Sequence, residues 1–405
     1  MEIIEKIKTN KLFENQTEIQ KICLDKLQSS PLPNPKSELW RLSNKSKFSN
    51  FLDYSINEKD LKFDTPYPKN SQNTIRFIIG ENCQIKLIEE NYSIQQLSED
   101  ELDKYIKEQI ACFDQNENWS DLLNLSLSCK KNILGLKING SKIPPIEIFS
   151  HASGNSLNAK TLVILLEKNC DIQLLQVNLG KDKSSLSQST FLFLEKNSSL
   201  NHGVVSYGKN GSNLLNSLNV IQQKNSEYNL GSLHFKFNYA RFEINIKQSD
   251  GNAKTNIKVM QITKKDERIS TYTKINFNGP NGFLDQINKS LADDKSHAIF
   301  EGSIIVPKIA QKTDASQLSR NLLLSNLAQI DTKPQLEIIA DDVKCKHGAT
   351  ISQLNEEELF YMRTRGITLS EASKLQLSSY FQEIISFIPI SRDRWDLLDK
   401  ILNEN

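Results

Sequence analysis

Glycine is scarce: the sequence has 405 residues and only 15 glycines, where average usage of about 7% would give roughly 28. The sequence therefore has few glycines with which to form the glycine-rich loops that bind nucleotide phosphates. One stretch, Gly203-Val-Val-Ser-Tyr-Gly208-Lys209-Asn210, has the spacing of such a loop, but Asn210 stands where a Ser or Thr is needed to hold magnesium. We therefore predict a strand and then a β-turn at Asn210-Gly211-Ser212, not a nucleotide site.

An excess of one charge sign and long hydrophobic runs are also missing. The 50 Lys and Arg residues nearly balance the 49 Asp and Glu residues, for a formal net charge of +1. This balance argues against a duplex nucleic-acid binder, which must neutralise many phosphates. The longest apolar run, Leu162 to Leu166, has five residues, far fewer than the ~20 that span a bilayer. The mixed-charge start, Met1-Glu-Ile-Ile-Glu-Lys-Ile-Lys, lacks the apolar core of a signal peptide, so we expect a cytoplasmic protein.

Clustered cysteines and local catalytic motifs are absent as well. The spacing of the six cysteines excludes a zinc finger, and we expect reduced thiols. The five histidines are isolated from one another, and nothing near them indicates an activated nucleophile. His234 alternates with apolar residues, which is typical of a buried strand position. The cysteines are Cys23, Cys83, Cys112, Cys129, Cys170 and Cys345.

The chain divides by pattern into three regions. Residues 1–140 are predicted to be mostly helical, although Thr74 to Ile79 and Cys83 to Ile88 have the pattern of two short strands around Gly80, a hairpin. The string Ser98-Glu-Asp-Glu101 is a capping box that predicts the start of a helix.

Residues 141–348 are dominated by β-structure. Short apolar or alternating runs, such as Ile172 to Val177 and Phe242 to Ile246, are separated by polar turns over roughly 200 residues. A sandwich, a barrel and a β-solenoid all fit this pattern, and periodicity alone does not choose among them.

Residues 349–405 return to a helical pattern. Asn355 is a good N-cap for a first helix, and Gly366 supplies a left-handed stop. Ser370-Glu371 is expected to open a second helix, and Ser391 to cap a third. The result is a small helical domain at the C-terminus.

Cys345-Lys346-His347 is the most unusual string in the sequence. On a strand, Cys345 and His347 share a face, and thiolate and imidazole are both good ligands for iron or zinc. Lys344 and Lys346 are expected to help hold the thiolate. A complete iron–sulfur site usually needs four ligands, so any further ligands must come from a partner chain.

At these residues the sequence resembles the SufB/SufD family of the Suf iron–sulfur cluster assembly machinery. The matching stretch runs from about Asp293 to Gly366. The resemblance rests on Ala340-Asp-Asp-Val-Lys-Cys-Lys-His-Gly-Ala-Thr350, on Leu359-Phe-Tyr-Met-Arg-Thr-Arg-Gly-Ile367, and on the N-terminal string Glu38-Leu-Trp-Arg41. Within the family the sequence is more similar to the SufD branch, because no cysteine occurs between Cys170 and Cys345, where SufB proteins carry one.

The resemblance implies a fold and a role. The fold is a mainly β protein, a right-handed parallel β-helix core flanked by an N-terminal mixed or helical region and a C-terminal helical domain. Ladders such as Leu162, Ile164 and Leu166 then stack between coils, and Asn replaces glycine in left-handed turns. The implied role is that of a non-catalytic subunit that pairs with SufB and with two copies of the ATPase SufC. Neither a nucleotide nor a resident cofactor is expected on this chain, which is expected to form a homodimer in isolation.

The resemblance also implies site residues. His347 and then Cys345 are the candidates for ligating a transient iron–sulfur cluster shared with SufB, or for managing protons there. The docking surface for SufC is expected on the C-terminal helices, although Phe360 and Tyr361 equally fit packing against the β-helix end. Its residues are Glu358, Phe360, Tyr361, Arg363 and Arg365.

Two alternatives compete with this interpretation. A SufB-like scaffold that carries the cluster by itself is disfavoured by the missing cysteine. A β-solenoid enzyme acting on polysaccharide is disfavoured because the central region lacks grouped acidic, basic and aromatic residues.

Overall fold

The structure is a computed structural model that describes residues 17–29, 38–56, 74–80, 86–112 and 119–389, together with the single residues 4, 5, 7, 33 and 401. The helix expected from Ser391 lies outside these described residues. Within them, no helix is long and apolar enough to cross a membrane.

Strands make up most of the regular structure. The helices are α1 (Glu18–Ser29), α2 (Glu38–Arg41), α3 (Lys45–Leu52), α4 (Glu99–Cys112), α5 (Trp119–Leu127), α6 (Glu356–Thr364) and α7 (Leu369–Ile385). The first strands are β1 (Ser55–Ile56), β2 (Ile75–Ile78), β3 (Lys86–Ile88), β4 (Tyr92–Gln96), β5 (Ile133–Gly140), β6 (Ile146–Ala152), β7 (Ser156–Leu166), β8 (Asp171–Gly180), β9 (Ser185–Leu194) and β10 (Ser199–Gly208). The remaining strands are β11 (Asn213–Gln222), β12 (Glu227–Phe235), β13 (Tyr239–Gln248), β14 (Lys254–Thr263), β15 (Arg268–Phe277), β16 (Phe283–Ala292), β17 (His297–Val306), β18 (Asp314–Leu323), β19 (Gln329–Ile338) and β20 (Lys344–Ser352).

The strands from β5 onward alternate between two parallel sheets. One sheet runs in the order β19-β17-β15-β13-β11-β9-β7-β5, and the other in the order β2-β6-β8-β10-β12-β14-β16-β18-β20. Each coil therefore gives one strand to each sheet, and the coils stack into a parallel β-solenoid of about eight turns. This observation confirms the parallel β-helix and excludes the sandwich and the barrel.

One predicted pairing near the N-terminus is wrong. β2 pairs in parallel with β6, and β3 pairs antiparallel with β4, so the two segments that were predicted to form a hairpin lie in different sheets. Alignment of β2 with β6 buries Phe77 against the solenoid core. The gain from that long-range packing outweighs the local turn signal at Gly80.

The interior of the solenoid contains the predicted aliphatic ladders. Leu162, Ile164 and Leu166 of β7 are buried within the core. Their register partners in β5 are Leu134, Leu136 and Ile138, so equivalent side chains stack from coil to coil as the solenoid architecture requires.

Asparagine takes the place of glycine at the turns. Of the 14 described non-glycine residues with positive φ, seven are Asn, the residue type that tolerates this conformation best after glycine. Asn169, Asn197 and Asn225 form a ladder in which each side-chain amide donates to the preceding Asn Oδ1, at 3.1 and 3.0 Å. The ladder explains how the chain forms many coils with so few glycines.

The stretch that mimics a phosphate-binding loop is a strand and a turn, as predicted. It ends β10, and Asn210 and Gly211 follow with φ of 54° and 77°.

Gly203 has a packing role, because a Cβ there would lie 2.8 Å from Ile388 Cγ2. Its register neighbour Gly231 would place a Cβ 3.0 Å from the Ile388 backbone nitrogen. The two glycines form a notch that seats the segment after α7.

The N-terminal helices pack on the outer face of the odd-numbered sheet. The fully buried guanidinium of Arg241 lies 3.8 Å from the Trp40 ring centroid and 3.7 Å from that of Tyr272. It also pairs with Glu243 at 2.5 Å. This stack holds the Trp40 segment, which the sequence resemblance singled out, against the solenoid.

Asp121 of α5 is a second buried charged group at that face. Its carboxylate accepts hydrogen bonds from Ser189 Oγ (2.6 Å), Ser217 Oγ (3.0 Å) and Asn219 Nδ2 (2.8 Å). Burial nevertheless dominates and raises the pKa of Asp121 to about 6, because the low-polarity surroundings disfavour the charged form. The helix is thus fixed to successive strands by an acid that titrates near neutral pH.

This raised pKa predicts a pH-dependent stability. Burial favours the protonated form of Asp121 in the folded state. Asp121 therefore contributes to the stability of the fold below its ordinary pKa of 3.8, and this stability is lost as the pH rises through about 6. Asp121→Asn cannot titrate. Between about pH 4 and pH 7, the free energy of unfolding of the wild type should fall relative to that of the variant by about 3 kcal/mol. Urea unfolding of both proteins across this range measures the difference, and parallel pH curves would contradict the assignment.

Candidate functional site at the open end of the solenoid

Cys345 and His347 lie on β20, the last strand of the even-numbered sheet among the described residues. Their register partners in β18 are Ala315 and Gln317, both buried inside the solenoid. Cys345 and His347 therefore lie on the side of β20 that faces the interior, as expected for residues two positions apart on one strand. In the described structure no further coil follows β20, so these positions lie at the open end.

The two side chains differ in their surroundings. Cys345 is half-buried against the hydrophobic core, and burial raises the pKa of its thiol. His347 is exposed. Its register partner Gln317 donates from Nε2 to Gln286 Oε1 at 3.0 Å. His347 thus ends a column of polar side chains that runs along the interior of the last coils.

The expected role of Lys344 and Lys346 is wrong. Adjacent strand residues point to opposite faces, so both lysines lie on the face of β20 away from the thiol. Burial and the nearby carboxylate of Asp314 raise the pKa of Cys345. In this chain alone, Cys345 is a protonated thiol at neutral pH rather than an activated thiolate.

The open end does not contain a complete ligand set. No group of three or more His, Cys, Asp or Glu side chains suited to a metal ion occurs in the part of the chain that the structure describes. The end also exposes apolar side chains that are 40% (Ile338), 58% (Ile339) and 47% (Ile351) accessible. The described part of the open end thus offers two potential ligands beside exposed apolar side chains.

Helix α6 and its C-cap residue Arg365 expose all five residues that were predicted to dock an ATPase: Glu358, Phe360, Tyr361, Arg363 and Arg365. The Phe360 and Tyr361 side chains are 67% and 59% accessible, so these rings do not pack against the solenoid end. The Arg365 guanidinium lies 5.3 Å from the Tyr361 ring centroid. Exposed aromatic and arginine side chains on one helix are the usual anchors of a protein interface.

Local capping fixes the ends of both C-terminal helices. Asn355 caps α6 as predicted, accepting from the backbone of Glu357 and Glu358, and Gly366 ends it with φ of 85°. Helix α7 begins slightly before the expected Ser370, because Thr368 and Glu371 form a capping box. Gln376 joins the helices by donating to the Glu358 carboxylate at 3.1 Å.

A charged anchor fixes α7 to the solenoid and was not found from the sequence. The buried Lys289 ammonium lies 2.7 Å from the Glu383 carboxylate and donates to the Tyr380 carbonyl at 2.8 Å. This ion pair holds the pKa of Glu383 below its usual value. Tyr380 in turn donates its hydroxyl to the Arg320 carbonyl of β18 at 2.6 Å. Residues about 90 positions apart form this contact, so no local pattern could reveal it.

Two buried histidines away from the open end are structural. His202 Nδ1 lies 3.0 Å from the Tyr228 hydroxyl, and burial lowers the pKa of His202 to about 3. His234 stacks on Phe242 with ring centroids 3.4 Å apart, and burial likewise lowers its pKa. His234 is a buried strand residue, as its alternating pattern predicted.

Comparison with known proteins agrees with this geometry. The SufBD core domain of the SUF system for FeS cluster assembly matches residues 149–380, which is more than half of the chain and includes Cys345, His347 and helix α6. The chain belongs to the SufBD family.

Individual relatives are similar to part of the chain. An iron–sulfur cluster assembly SufBD family protein of Synechocystis is 40% identical over 152 residues, which is 38% of this chain and 34% of that protein. SufD of Escherichia coli is 40% identical over 135 residues, 33% of this chain and 31% of SufD. The chloroplastic protein ABCI7 of Arabidopsis thaliana is 37% identical over 150 residues, 37% of this chain and 32% of ABCI7. The matched stretch thus spans about a third of each relative.

Proposed function

We propose that this SufBD chain is a SufD-type scaffold subunit, without catalytic activity by itself, that pairs with a SufB-like paralogue and docks a SufC-like ATPase. The observation that carries the proposal is the open end of the solenoid. Among the described residues, this end presents Cys345 and His347 without a complete ligand set, beside exposed apolar side chains. A second subunit that meets this end supplies the missing ligands and covers the apolar surface.

The cargo of this shared site is a nascent iron–sulfur cluster, which leaves when assembly is complete. His347 is exposed, so its imidazole is accessible as a ligand or as a proton carrier at the interface. Cys345 is protonated in the free chain because burial raises its pKa. Binding of iron by Cys345 would therefore release a proton, and a neighbouring imidazole is well suited to accept it.

Helix α6 is the proposed contact of the SufC-like ATPase. Phe360 and Tyr361 supply apolar anchors, while Glu358, Arg363 and Arg365 supply charges at the rim. Movement of α6 would reach the last coils through α7, since the Lys289 and Tyr380 contacts join α7 to β16 and β18. A nucleotide that binds the ATPase would thus act on the cluster site through a mechanical connection.

Reconstitution tests this function. Ferrous iron and sulfide are added without oxygen to three samples: this chain alone, the SufB-like and SufC-like partners together, and all three proteins with ATP. The proposal predicts that cluster absorbance and bound sulfide are highest in the complete mixture. An equal yield without this chain would contradict a scaffold role.

A further inference from the structure

The interior of the last coils contains a chain of side-chain amides that runs toward the open end. Gln286 of β16 donates from Nε2 to Thr273 Oγ1 at 2.9 Å, and Gln317 of β18 donates from Nε2 to Gln286 Oε1 at 3.0 Å. All three side chains are buried. Both amides thus donate to a residue that precedes them in the sequence, and the amide chain ends in the acceptor oxygen of Gln317.

This last acceptor, Gln317 Oε1, is buried and has no hydrogen-bond partner among the residues that the structure describes. A buried carbonyl oxygen without a partner is unfavourable, because it has lost its hydrogen bonds to water. The next coil places His347 of β20 at the same register position. The two side chains lie on the same side of the sheet, and neighbouring strands are about 4.8 Å apart. His347 is therefore placed to supply the missing donor.

Gly302 of β17 makes room for the Gln317 amide. A Cβ on Gly302 would lie 2.9 Å from Gln317 Cδ and still closer to Gln317 Nε2, so a larger residue there would displace the amide. The chain has only 15 glycines, and this one lies inside a strand, where glycine weakens the strand unless another group approaches closely. The Gln317 amide is that group, since it reaches across the interior to the backbone of the opposite sheet.

We propose that Gln317 is a positioning residue for His347, in which Gln317 Oε1 accepts an imidazole N–H when the ring turns inward over the open end. This inference rests on the proposed function, in which His347 acts at the shared cluster site. His347 is exposed, and exposed side chains change rotamer within nanoseconds. The inward orientation of the ring therefore requires no movement of β20.

Such a hydrogen bond fixes both the orientation and the tautomer of the ring. In a neutral imidazole one nitrogen carries a proton and the other is an acceptor. Donation of the N–H to Gln317 leaves the second nitrogen unprotonated and directed outward, where it can bind iron or accept a proton. The bond from Gln317 Nε2 to Gln286 keeps the Gln317 amide from turning its donor side toward His347. Loss of such an orienting partner typically costs about 10- to 100-fold in metal affinity.

A double-mutant cycle in the assembled complex tests this role. Gln317→Met has a similar volume but no acceptor oxygen, and it should lower iron and acid-labile sulfide per complex about tenfold. In the His347→Ala background the same substitution should change the content less than about twofold, because the imidazole that Gln317 positions is gone. Equal losses in both backgrounds, which a merely structural role predicts, would overturn the inference. Wild-type content in Gln317→Met would overturn it as well.

Two further variants separate positioning from general damage to the interior. Gln248 of β13 is also buried, and its Oε1 also lacks a partner in the described part of the chain. Gln248→Met should therefore leave the cluster content near the wild-type level, and a loss as large as that of Gln317→Met would overturn the inference. Gly302→Ala displaces the amide while Gln317 and His347 are both retained. It should repeat the loss, again only when His347 is present.

Nitrogen NMR of the free chain with isotope-labelled histidine gives a readout that does not depend on the cluster. The His347 signals are those missing from His347→Ala. Their ring-nitrogen shifts should indicate one dominant tautomer in the wild type and in Gln248→Met, and should move toward those of a solvated imidazole in Gln317→Met. Unchanged shifts in Gln317→Met would overturn the hydrogen bond. Wild-type cluster content in His347→Ala, with the shift change present, would instead contradict the proposed function.

Discussion

Replacing Phe360 and Tyr361 together by alanine should weaken binding of the SufC-like ATPase by about 100-fold or more, without unfolding the chain. Each exposed ring is a candidate anchor, and truncating an interface anchor costs at least about 2 kcal/mol. A 100-fold effect corresponds to about 2.8 kcal/mol, which is less than the sum of two such losses because their effects are not additive. Neither side chain is buried in the free protein, and stability should change little. Calorimetric titration with the ATPase measures the dissociation constant, and thermal unfolding checks the fold.

A matched control is available on the solenoid itself. Ile309 is 64% accessible, close to the exposure of Phe360, but it lies on the turn between β17 and β18. Ile309→Ala should therefore bind the ATPase like the wild type. Undiminished binding by the Phe360 and Tyr361 double variant would place the docking surface elsewhere.

Replacing His347 by alanine should lower the cluster content of the assembled complex by about tenfold or more, because loss of a ligand or of its proton relay weakens metal binding strongly. The imidazole is exposed on an edge strand, so the free chain should keep its stability and its partners. Iron and acid-labile sulfide per complex measure the effect, and size-exclusion chromatography checks assembly.

Lys346→Ala is the control for this variant. Lys346 is adjacent in sequence and is also exposed, but its side chain lies on the other face of β20. Its loss should leave the cluster content near the wild-type level. A similar loss in both variants would indicate a general disturbance of β20, and wild-type cluster content in His347→Ala would remove His347 from the site.

Local signals in the sequence were sufficient where neighbouring residues decide the structure. The capping box at Ser98 and Glu101 forms as predicted, with the two reciprocal contacts at 2.9 and 3.3 Å. Asn355 and Gly366 likewise begin and end α6 as expected. Caps and left-handed turns depend on residues within one helical turn, which a sequence shows directly.

Long-range pairing could not be predicted in the same way. Strand periodicity was compatible with three architectures, and the solenoid followed from family resemblance, because a pattern of alternate residues does not identify the strand that pairs with it. The same limitation explains the wrong hairpin near Gly80, where β2 pairs with β6 more than 60 residues away. Placement of Cys345 and His347 on one strand face was predictable from the period of two, whereas the anchor between Lys289 and Glu383 was not.

The most direct test of the central claim is native mass spectrometry of this chain co-expressed with its SufB-like and SufC-like partners. The account predicts one complex that contains this chain, one SufB-like subunit and two copies of the ATPase, and it predicts loss of the ATPase alone from the Phe360 and Tyr361 double variant. A chain that separates from both partners, or forms only copies of itself in their presence, would contradict the account.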